Sequence, residues 1–277
     1  MQIKVDYHFH PNFPFFIPIF GKLFSKIKAR FIWKAFEKHD LDAVIITEHG
    51  FKHPKKTFEF LEKAKPKNSK TIIIPGIEVI TKEGTDLIVF SKEKKDLYSH
   101  RELLSPRKLT MMDLINFVKN HKELRGVVTH PYAPGTSGIV SNNGMEMTRL
   151  AVKELGMVEV HNCCFTALIK LMEISKLNKI LKRIYFQIVS TDAAPQEILT
   201  ESTVITGGSD AHRHWEIGDY MLIDIDTKID IYTAIITTSG KIVRRKKYIL
   251  GLLPNLITVS REGLMRKLRL YSSDKPL

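Results

Sequence analysis

Cysteine is almost absent from this chain of 277 residues: Cys163 and Cys164 are the two cysteines, and they are adjacent. Neighbours this close rarely form a disulfide because the bond geometry is strained, so nothing indicates an oxidising compartment. Long apolar runs are also missing, since residues 13–20 and 248–253 are the longest and are far too short to span a bilayer. No signal peptide is visible before the first predicted strand. These absences predict a cytoplasmic protein.

Acidic residues are outnumbered by basic ones, 30 against 43, which gives a formal net charge of +13 at pH 7. This excess suits a nucleic acid, an anionic membrane surface or a phosphorylated substrate. It is equally explained by solubility and by the lysine enrichment of heat-stable proteins. Hydrophobic residues make up 43% of the chain, an ordinary share for a globular protein with a core, which excludes general disorder.

The pattern along the chain alternates between strands and helices. Strands are predicted at residues 3–7, 43–47, 71–75, 87–90, 126–129, 157–161, 185–189 and 203–206. Helices are predicted at residues 26–39, 57–65, 111–121, 145–155 and 165–182. Such alternation predicts an α/β protein with a parallel sheet or barrel. One barrel of about 250 residues would account for most of the chain.

Metal-ligand side chains follow six of these predicted strands. They are Asp6, His8 and His10, then Glu48 and His49, Glu78, His130, Glu159 and His161, and Asp210 and His212. Residues two apart on a strand point to the same side, so Asp6, His8 and His10 are expected to face one way. Crowding these groups at the carboxyl ends of parallel strands would be costly without a cation. Histidine with carboxylate suits Zn, Mn or Fe.

The order of these motifs resembles the PHP family, the polymerase and histidinol phosphatase superfamily. The matching stretches are Asp6-x-His8-x-His10, Ile46-Thr47-Glu48-His49, Gly76-Ile77-Glu78-Val79, His130-Pro131, Val158-Glu159-Val160-x-Asn162, and Gly208-Ser209-Asp210-Ala211-His212 followed by Ile217-Gly218. The resemblance implies a distorted (β/α)7 barrel over residues 1–243. It also implies two or three divalent metal ions, Zn, Mn or Fe, and hydrolysis of a phosphate ester by a metal-bound hydroxide.

The resemblance also implies a set of ligands for each metal. His8, His10, Glu78 and Asp210 would hold one ion; Glu78, His130 and Asp86 a second; His49 and His212 a third. The catalytic set would be His8, His10, Glu78, His130, Asp210 and His212.

This sequence departs from the family pattern at three positions. Phe15 stands where the family usually has a further Asp or His, which bears on the third metal. Asp86 stands near a position where the family tends to have His, and Glu48 replaces a more usual Asp. Two arginines, Arg213 and Arg149, are candidates for binding the phosphate of the substrate.

Three functions remain open at this stage. The first is a phosphoesterase that acts on a small phosphorylated molecule. The second is a nuclease or nucleotide phosphatase that uses the positive charge to hold a nucleic acid. The third is a non-catalytic RNA-binding subunit built on the same barrel, which the retained ligands argue against.

Two further segments carry predictions. Residues 12–20 are rich in Phe and Ile and are expected to cover the metal cleft or form an apolar wall beside it, or else to pack under the following helix. Residues 244–277 are expected to form a basic, helical C-terminal extension outside the barrel. Its basic and apolar faces suit an anionic partner, either a peripheral membrane contact or a nucleic acid, whereas a docking helix that packs on the barrel is the alternative.

Overall fold

The computed structural model describes residues 1–15, 20–133, 137–162 and 198–244. Within these ranges the strands are β1 (Gln2–Phe9), β2 (Ala43–Ile46), β3 (Ile72–Ile80), β4 (Asp86–Ser91), β5 (Leu124–Val128), β6 (Met157–Asn162), β7 (Val204–Gly208), β8 (Tyr220–Asp224) and β9 (Lys241–Val243). The α-helices are α1 (Gly21–Lys38), α2 (Pro54–Lys63), α3 (Lys94–Tyr98), α4 (Arg101–Leu104), α5 (Met111–Asn120), α6 (Ile139–Leu155) and α7 (Ile231–Thr237). The predicted helix at 165–182, the predicted strand at 185–189 and almost all of the C-terminal extension lie outside the described residues.

The nine strands form one sheet in the order β7-β6-β5-β4-β3-β2-β1-β8-β9. The sheet curls until β7 approaches β1, where the amide of His10 donates to the carbonyl of Ala211 (3.0 Å) and that of Asp210 donates to the carbonyl of His8 (2.8 Å). Strands β1 to β7 therefore form a nearly closed barrel, and β8 and β9 extend the sheet beyond β1. The predicted α/β barrel is confirmed.

One strand runs against the predicted parallel direction. β4 pairs antiparallel with both β3 and β5, whereas β1, β2 and β3 pair in parallel, as do β5, β6 and β7. A tight turn joins β3 to β4, in which the amide of Thr81 donates to the carbonyl of Thr85 and Gly84 has a φ of 95°. The reversal brings Asp86, the first residue of β4, to the end of the barrel where β3 finishes.

The apolar core has two parts on opposite faces of the sheet. One cluster combines side chains from eight of the strands with α7, and it fills the inside of the barrel. It includes Val5, Ile45, Ile74, Ile88, Val127 and Met157. The larger cluster joins the outer faces of the strands to α1, α2, α5 and α6. The barrel therefore has a solid apolar base, and the residues above this base can carry polar side chains.

The gap between β7 and β1 closes because Gly208 has no side chain. A Cβ atom at this position would lie 2.6 Å from the backbone nitrogen and the Cβ of His8. Any larger residue would push β7 away from β1 and open the barrel. Elsewhere, in the part of the chain that the structure describes, no helix is long and apolar enough to cross a membrane.

Candidate metal centre

Seven of the predicted metal ligands converge at the carboxyl ends of the strands, and all seven are buried. They form three overlapping groups: His8, His10 and Asp210; His8, Glu78 and His130; and His10, His49 and His212. Within each group the potential ligand atoms all lie within 4.8 Å of one another. His8 and His10 each belong to two groups, so three potential metal positions share their ligands.

Glu78 lies between four imidazoles. Its carboxylate is 2.7 Å from His49 Nδ1, 3.2 Å from His130 Nε2, 3.4 Å from His10 Nε2 and 3.5 Å from His8 Nε2. The two oxygens divide these contacts, since Oε1 faces His8 and His130 while Oε2 faces His10 and His49. Glu78 would therefore help to hold a metal ion together with His8 and His130.

His8 and His10 meet at their outer ring nitrogens. The two Nε2 atoms are 2.9 Å apart, and Asp210 Oδ1 lies 3.5 Å from the first and 3.4 Å from the second. The ring of His10 also stacks against His49 and His212, with both pairs of ring centroids 4.6 Å apart. Four histidines and a carboxylate therefore share one small buried volume.

The electrostatics of the centre are dominated by its buried carboxylates and imidazoles. Burial alone would raise the pKa of Glu78, but the charge of His49 and hydrogen bonds from His130 and His49 hold it well below its usual value. Burial would lower the pKa of His8, but Asp210 and Glu159 raise it well above the usual value. The buried carboxylates therefore favour a proton on the ring of His8.

Two ligands that follow strands have an unusual backbone. His130 has a φ of 26° and Asp210 a φ of 44°, a region that residues other than glycine rarely adopt. Such conformations cost about 1–3 kcal/mol each and are found mainly at functional sites. The backbone at both positions therefore costs stability while it directs the two side chains toward the donor groups.

Asp86 is buried at the start of β4 but does not belong to the three groups. It influences His130 through its charge. Burial lowers the pKa of His130, whereas the hydrogen bond that His130 donates to Glu78 and the charges of Glu159, Glu78 and Asp86 raise it above the usual value. Its assignment as a metal ligand stays a prediction.

Glu159 belongs to one of the sequence motifs but was not assigned as a metal ligand, and it contacts two of the predicted ligands. Its Oε1 is 2.9 Å from His8 Nδ1, and its Oε2 accepts hydrogen bonds from the backbone amide of His130 (2.8 Å) and from Asn162 Nδ2 (3.2 Å). Asn162 also donates to Asp210 (3.1 Å). Glu159 therefore fixes the ring of one ligand and the backbone of another. Glu159 lies two residues after Met157, so both side chains lie on the same face of β6, the face that lines the inside of the barrel. This spacing was the signal in the sequence that Glu159 points toward the centre.

Glu48, the replacement for the more usual Asp, lies beside the same groups. Its carboxylate is 3.6 Å from His10 Nδ1, and it accepts a hydrogen bond from the amide of Asn12 (2.6 Å). Burial raises its pKa, but the nearby imidazole of His10 and the charge of Lys52 together lower it to about 2. Glu48 therefore carries a negative charge that orients His10 and holds the start of the following loop.

Two residues of the motifs lie apart from the donor groups. The pairing of β1 with β2 is irregular between Asp6 and Phe9, and Asp6 does not belong to the three donor groups. It accepts hydrogen bonds from Ser209 Oγ (2.6 Å) and from the amides of Ser209 and His8, and burial raises its pKa to about 7. His161 pairs instead with Asp219 (2.9 Å). The expectation that Asp6 shares one face with the two histidines stays a prediction, and the structure places Asp6 outside the three donor groups.

The arginines and the apolar loop lie around this centre at different distances. Arg213 follows His212 directly, is partly buried and contacts Glu216 (3.5 Å), whereas Arg149 is exposed on α6. In the loop, Phe13 and Phe15 pack on Phe60 of α2 with ring centroids 5.1 and 5.4 Å away. Residues 16–19 lie outside the described residues. Phosphate binding by either arginine stays a prediction, as does an apolar wall built by the loop.

The chemistry of the donors fits divalent metal ions. Imidazole and carboxylate are ligands for Zn, Mn and Fe, and the overlapping groups supply at least three donors at each position.

No protein-family model matches the chain, and no curated protein matches it either. Among solved structures, PsfC from Pseudomonas syringae PB-5123 is 17% identical, with a TM-score of 0.61, over 95% of this chain and 99% of that one. Endonuclease Q bound to a 27-mer duplex with an abasic lesion is 12% identical, with a TM-score of 0.50, over 82% of this chain and 54% of that one. The lesion-specific endonuclease PfuEndoQ from Pyrococcus furiosus is 13% identical, with a TM-score of 0.47.

At these identities the comparisons bear on the fold. This chain spans about half the length of Endonuclease Q but nearly the full length of PsfC. The likeness to a PHP-type enzyme agrees with the motifs found in the sequence, and the predicted resemblance is confirmed at the level of the fold. The chain therefore shares its fold with PsfC and with part of Endonuclease Q.

Proposed function

We propose that this protein is a metal-dependent phosphoesterase, whose centre is formed by His8, His10, Glu78, His130 and Asp210 with His49 and His212. The observation that carries the proposal is the sharing of ligands between the three donor groups. Sharing of this kind suits ions that act together on one phosphate, since neighbouring cations offset the charge on its oxygens. Zn, Mn and Fe are the candidate ions.

The metals would supply an activated water and would offset the negative charge that develops on phosphorus. The residues of the chain would hold the metal ions in position. One oxygen of Glu78 contacts His8 and His130, and the other contacts His10 and His49. Glu159 orients the ring of His8 through a contact with its Nδ1 atom. Arg213, held against Glu216, is the nearest candidate to bind a phosphate oxygen, because it follows a donor histidine directly.

A small phosphorylated molecule is the substrate class that we propose, with a nuclease activity as the alternative. The test is to strip the protein with a chelator, restore Zn, Mn or Fe separately, and measure metal content and hydrolysis. p-Nitrophenyl phosphate reports on monoesters, bis-p-nitrophenyl phosphate on diesters, and a duplex with an abasic site on nuclease activity.

The variant that decides is His8→Ala with His10→Ala, because these two residues serve all three donor groups. We expect it to lose bound metal and hydrolysis while its circular dichroism stays that of the parent protein. His39→Gln is the matched control, since His39 ends α1 outside the three groups. Full activity in the double variant, or a parent protein that retains no metal, would contradict the proposal.

A further inference from the structure

Most of the large apolar side chains that remain exposed in the described part of the chain lie on one helix. Phe20, Leu23, Phe24, Ile27 and Phe31 are 41–55% exposed, and they occupy the N-cap and the first three turns of α1. Their spacing of three, four and seven residues places them on a single stripe along the outer face of the helix. A stripe of three aromatic and two aliphatic side chains in water is costly unless something covers it.

A row of cations borders this stripe. Lys22, Lys26, Arg30 and Lys34 are all exposed and follow one another at intervals of four residues. At 100° per residue this row runs along one edge of the apolar stripe. The outer face of α1 is therefore basic and apolar together, whereas its inner face packs through Ala29, Ile32, Trp33 and Phe36.

The other edge of the stripe adjoins the candidate metal centre. Lys28 donates hydrogen bonds from Nζ to the carbonyls of His212 (3.1 Å) and Asn12 (3.0 Å). The ring of Phe31 stacks on His214, with centroids 4.8 Å apart, and the next residue, Trp215, is 50% exposed. The apolar stripe thus continues onto the loop that follows a donor histidine.

We propose that the outer face of α1, together with Trp215, binds the surface of an anionic phospholipid bilayer. An interfacial helix of this kind buries aromatic and aliphatic side chains at the level of the headgroups while its lysines and arginines contact lipid phosphates. Aromatic side chains at both ends of the face, Phe20 and Trp215, suit the boundary between headgroups and acyl chains. The proposal does not depend on the proposed function, because lipid binding by this face requires no metal.

Other occupants of this face fit less well. A nucleic acid would use the cations but has no need for Leu23 and Ile27. A second copy of the chain would bring two rows of cations together in a symmetric contact. The segment 245–277 has eight basic and two acidic residues, so its charge is repelled by this face. An anionic bilayer satisfies both the apolar stripe and the basic row.

Vesicle sedimentation with the full chain tests the proposal. The vesicles contain phosphatidylcholine alone, or phosphatidylcholine with one third phosphatidylglycerol. The apolar variant is Leu23→Ser with Ile27→Ser, and the basic variant is Lys22→Gln with Lys26→Gln and Arg30→Gln. Ile72→Ser with Met112→Ser is the matched control, since both are exposed apolar residues elsewhere on the surface.

We expect the parent protein and the control to bind the anionic vesicles and to bind the neutral ones weakly. Each of the two α1 variants should reduce partitioning onto anionic vesicles by about tenfold or more. All variants should keep the circular dichroism of the parent, because every substituted residue is exposed.

Three outcomes would overturn the proposal. The first is absence of vesicle binding by the parent protein. The second is vesicle binding that the apolar variant leaves unchanged while the basic variant loses affinity for duplex DNA, which would assign the face to nucleic acid. The third is a concentration-dependent dimer in light scattering that the apolar variant abolishes, which would assign the face to a second copy. Metal content and hydrolysis of the parent, measured in parallel, keep these results separate from the proposed function.

Discussion

The inside of the barrel has two halves that lie on the same strands but have opposite chemistry. In the lower half, Val5, Ile45, Ile74, Ile88, Val127 and Met157 form an apolar cluster. In the upper half, Glu78 lies four residues after Ile74, and Glu159 lies two residues after Met157. Residues separated by an even number of positions lie on the same face of a strand. The face that carries apolar residues in the lower half therefore carries polar residues in the upper half.

The residues of the lower half stabilise the barrel, whereas the buried ionisable residues of the upper half lower its stability unless a partner compensates them. Burying an apolar side chain gains about 1.5–3 kcal/mol, whereas burying an ionisable group costs free energy unless a partner compensates it. Burial in the lower half therefore offsets the free-energy cost of the upper half. Substitutions in the lower half should reduce stability, whereas substitutions in the upper half should reduce metal binding.

The largest effect is expected for Glu78→Gln, because one carboxylate contacts four imidazoles. The amide keeps the shape but removes a charge that would help to hold a metal ion. We expect hydrolysis to fall roughly a thousandfold and metal content to drop, as measured on protein reloaded with each metal.

The free energy of unfolding of the metal-free protein provides the control for Glu78→Gln. It should change much less than the rate, since the fold rests on the lower half. A variant that keeps its metal and its rate would show that the upper half is not the reaction centre.

Phe90→Ala tests the lower half. Phe90 is completely buried in the inner cluster and contacts Tyr232 of α7 edge to face, with ring centroids 6.1 Å apart. Removing its ring should lower the free energy of unfolding by about 3–5 kcal/mol, measured by urea denaturation. Metal content at saturating metal should stay that of the parent. Loss of metal with unchanged stability would break the division into two halves.

Asp6 lies at the boundary between the two halves and predicts a dependence on pH. Its pKa is raised to about 7 in the folded protein against 3.8 in the unfolded chain, because it is buried. The folded state therefore keeps the proton of Asp6 between about pH 4 and 7, where the unfolded state has lost it. The stabilisation is complete below the unfolded pKa and is lost as the pH rises through 7.

Comparison with Asp6→Asn isolates this term. An amide can accept the backbone hydrogen bonds of Asp6 and donate to Ser209 Oγ, so the barrel stays closed. From pH 4 to 8 the metal-free parent should lose on the order of 4 kcal/mol of stability relative to the variant. Parallel curves of unfolding free energy against pH would show that Asp6 ionises normally.

The convergence of the predicted donors could be foreseen from the sequence, because each one lies near the end of a predicted strand and strand ends at one edge of a barrel lie close together. His8, His10, Glu78, His130 and Asp210 needed no knowledge of side-chain packing. The direction of β4 was missed, although five residues between Ile80 and Asp86 are too few for a parallel crossover, which needs a dozen or more. Loop length was the available signal.

Contacts that cross the barrel could not be predicted in the same way. Glu159 reaches His8, which lies 151 residues away, and Asp6 reaches Ser209, which lies 203 residues away. Local spacing carries no information on such pairs. The irregular pairing of β1 between Asp6 and Phe9 also depends on the neighbouring strand rather than on β1 itself.

The smallest expected effect sharpens the boundary of the upper half. In Glu159→Gln, the carbonyl oxygen of the amide can accept from His8 Nδ1 or from the amide of His130, but one of these two donors loses its acceptor. A ligand histidine with a poorly fixed ring binds metal about 10–100-fold more weakly, which competition with a chromogenic chelator measures. His39→Gln is the control, because His39 ends α1 outside the three donor groups. If Glu159→Gln binds metal as tightly as the parent, Glu159 is a structural residue of the barrel, and the metal centre does not include β6.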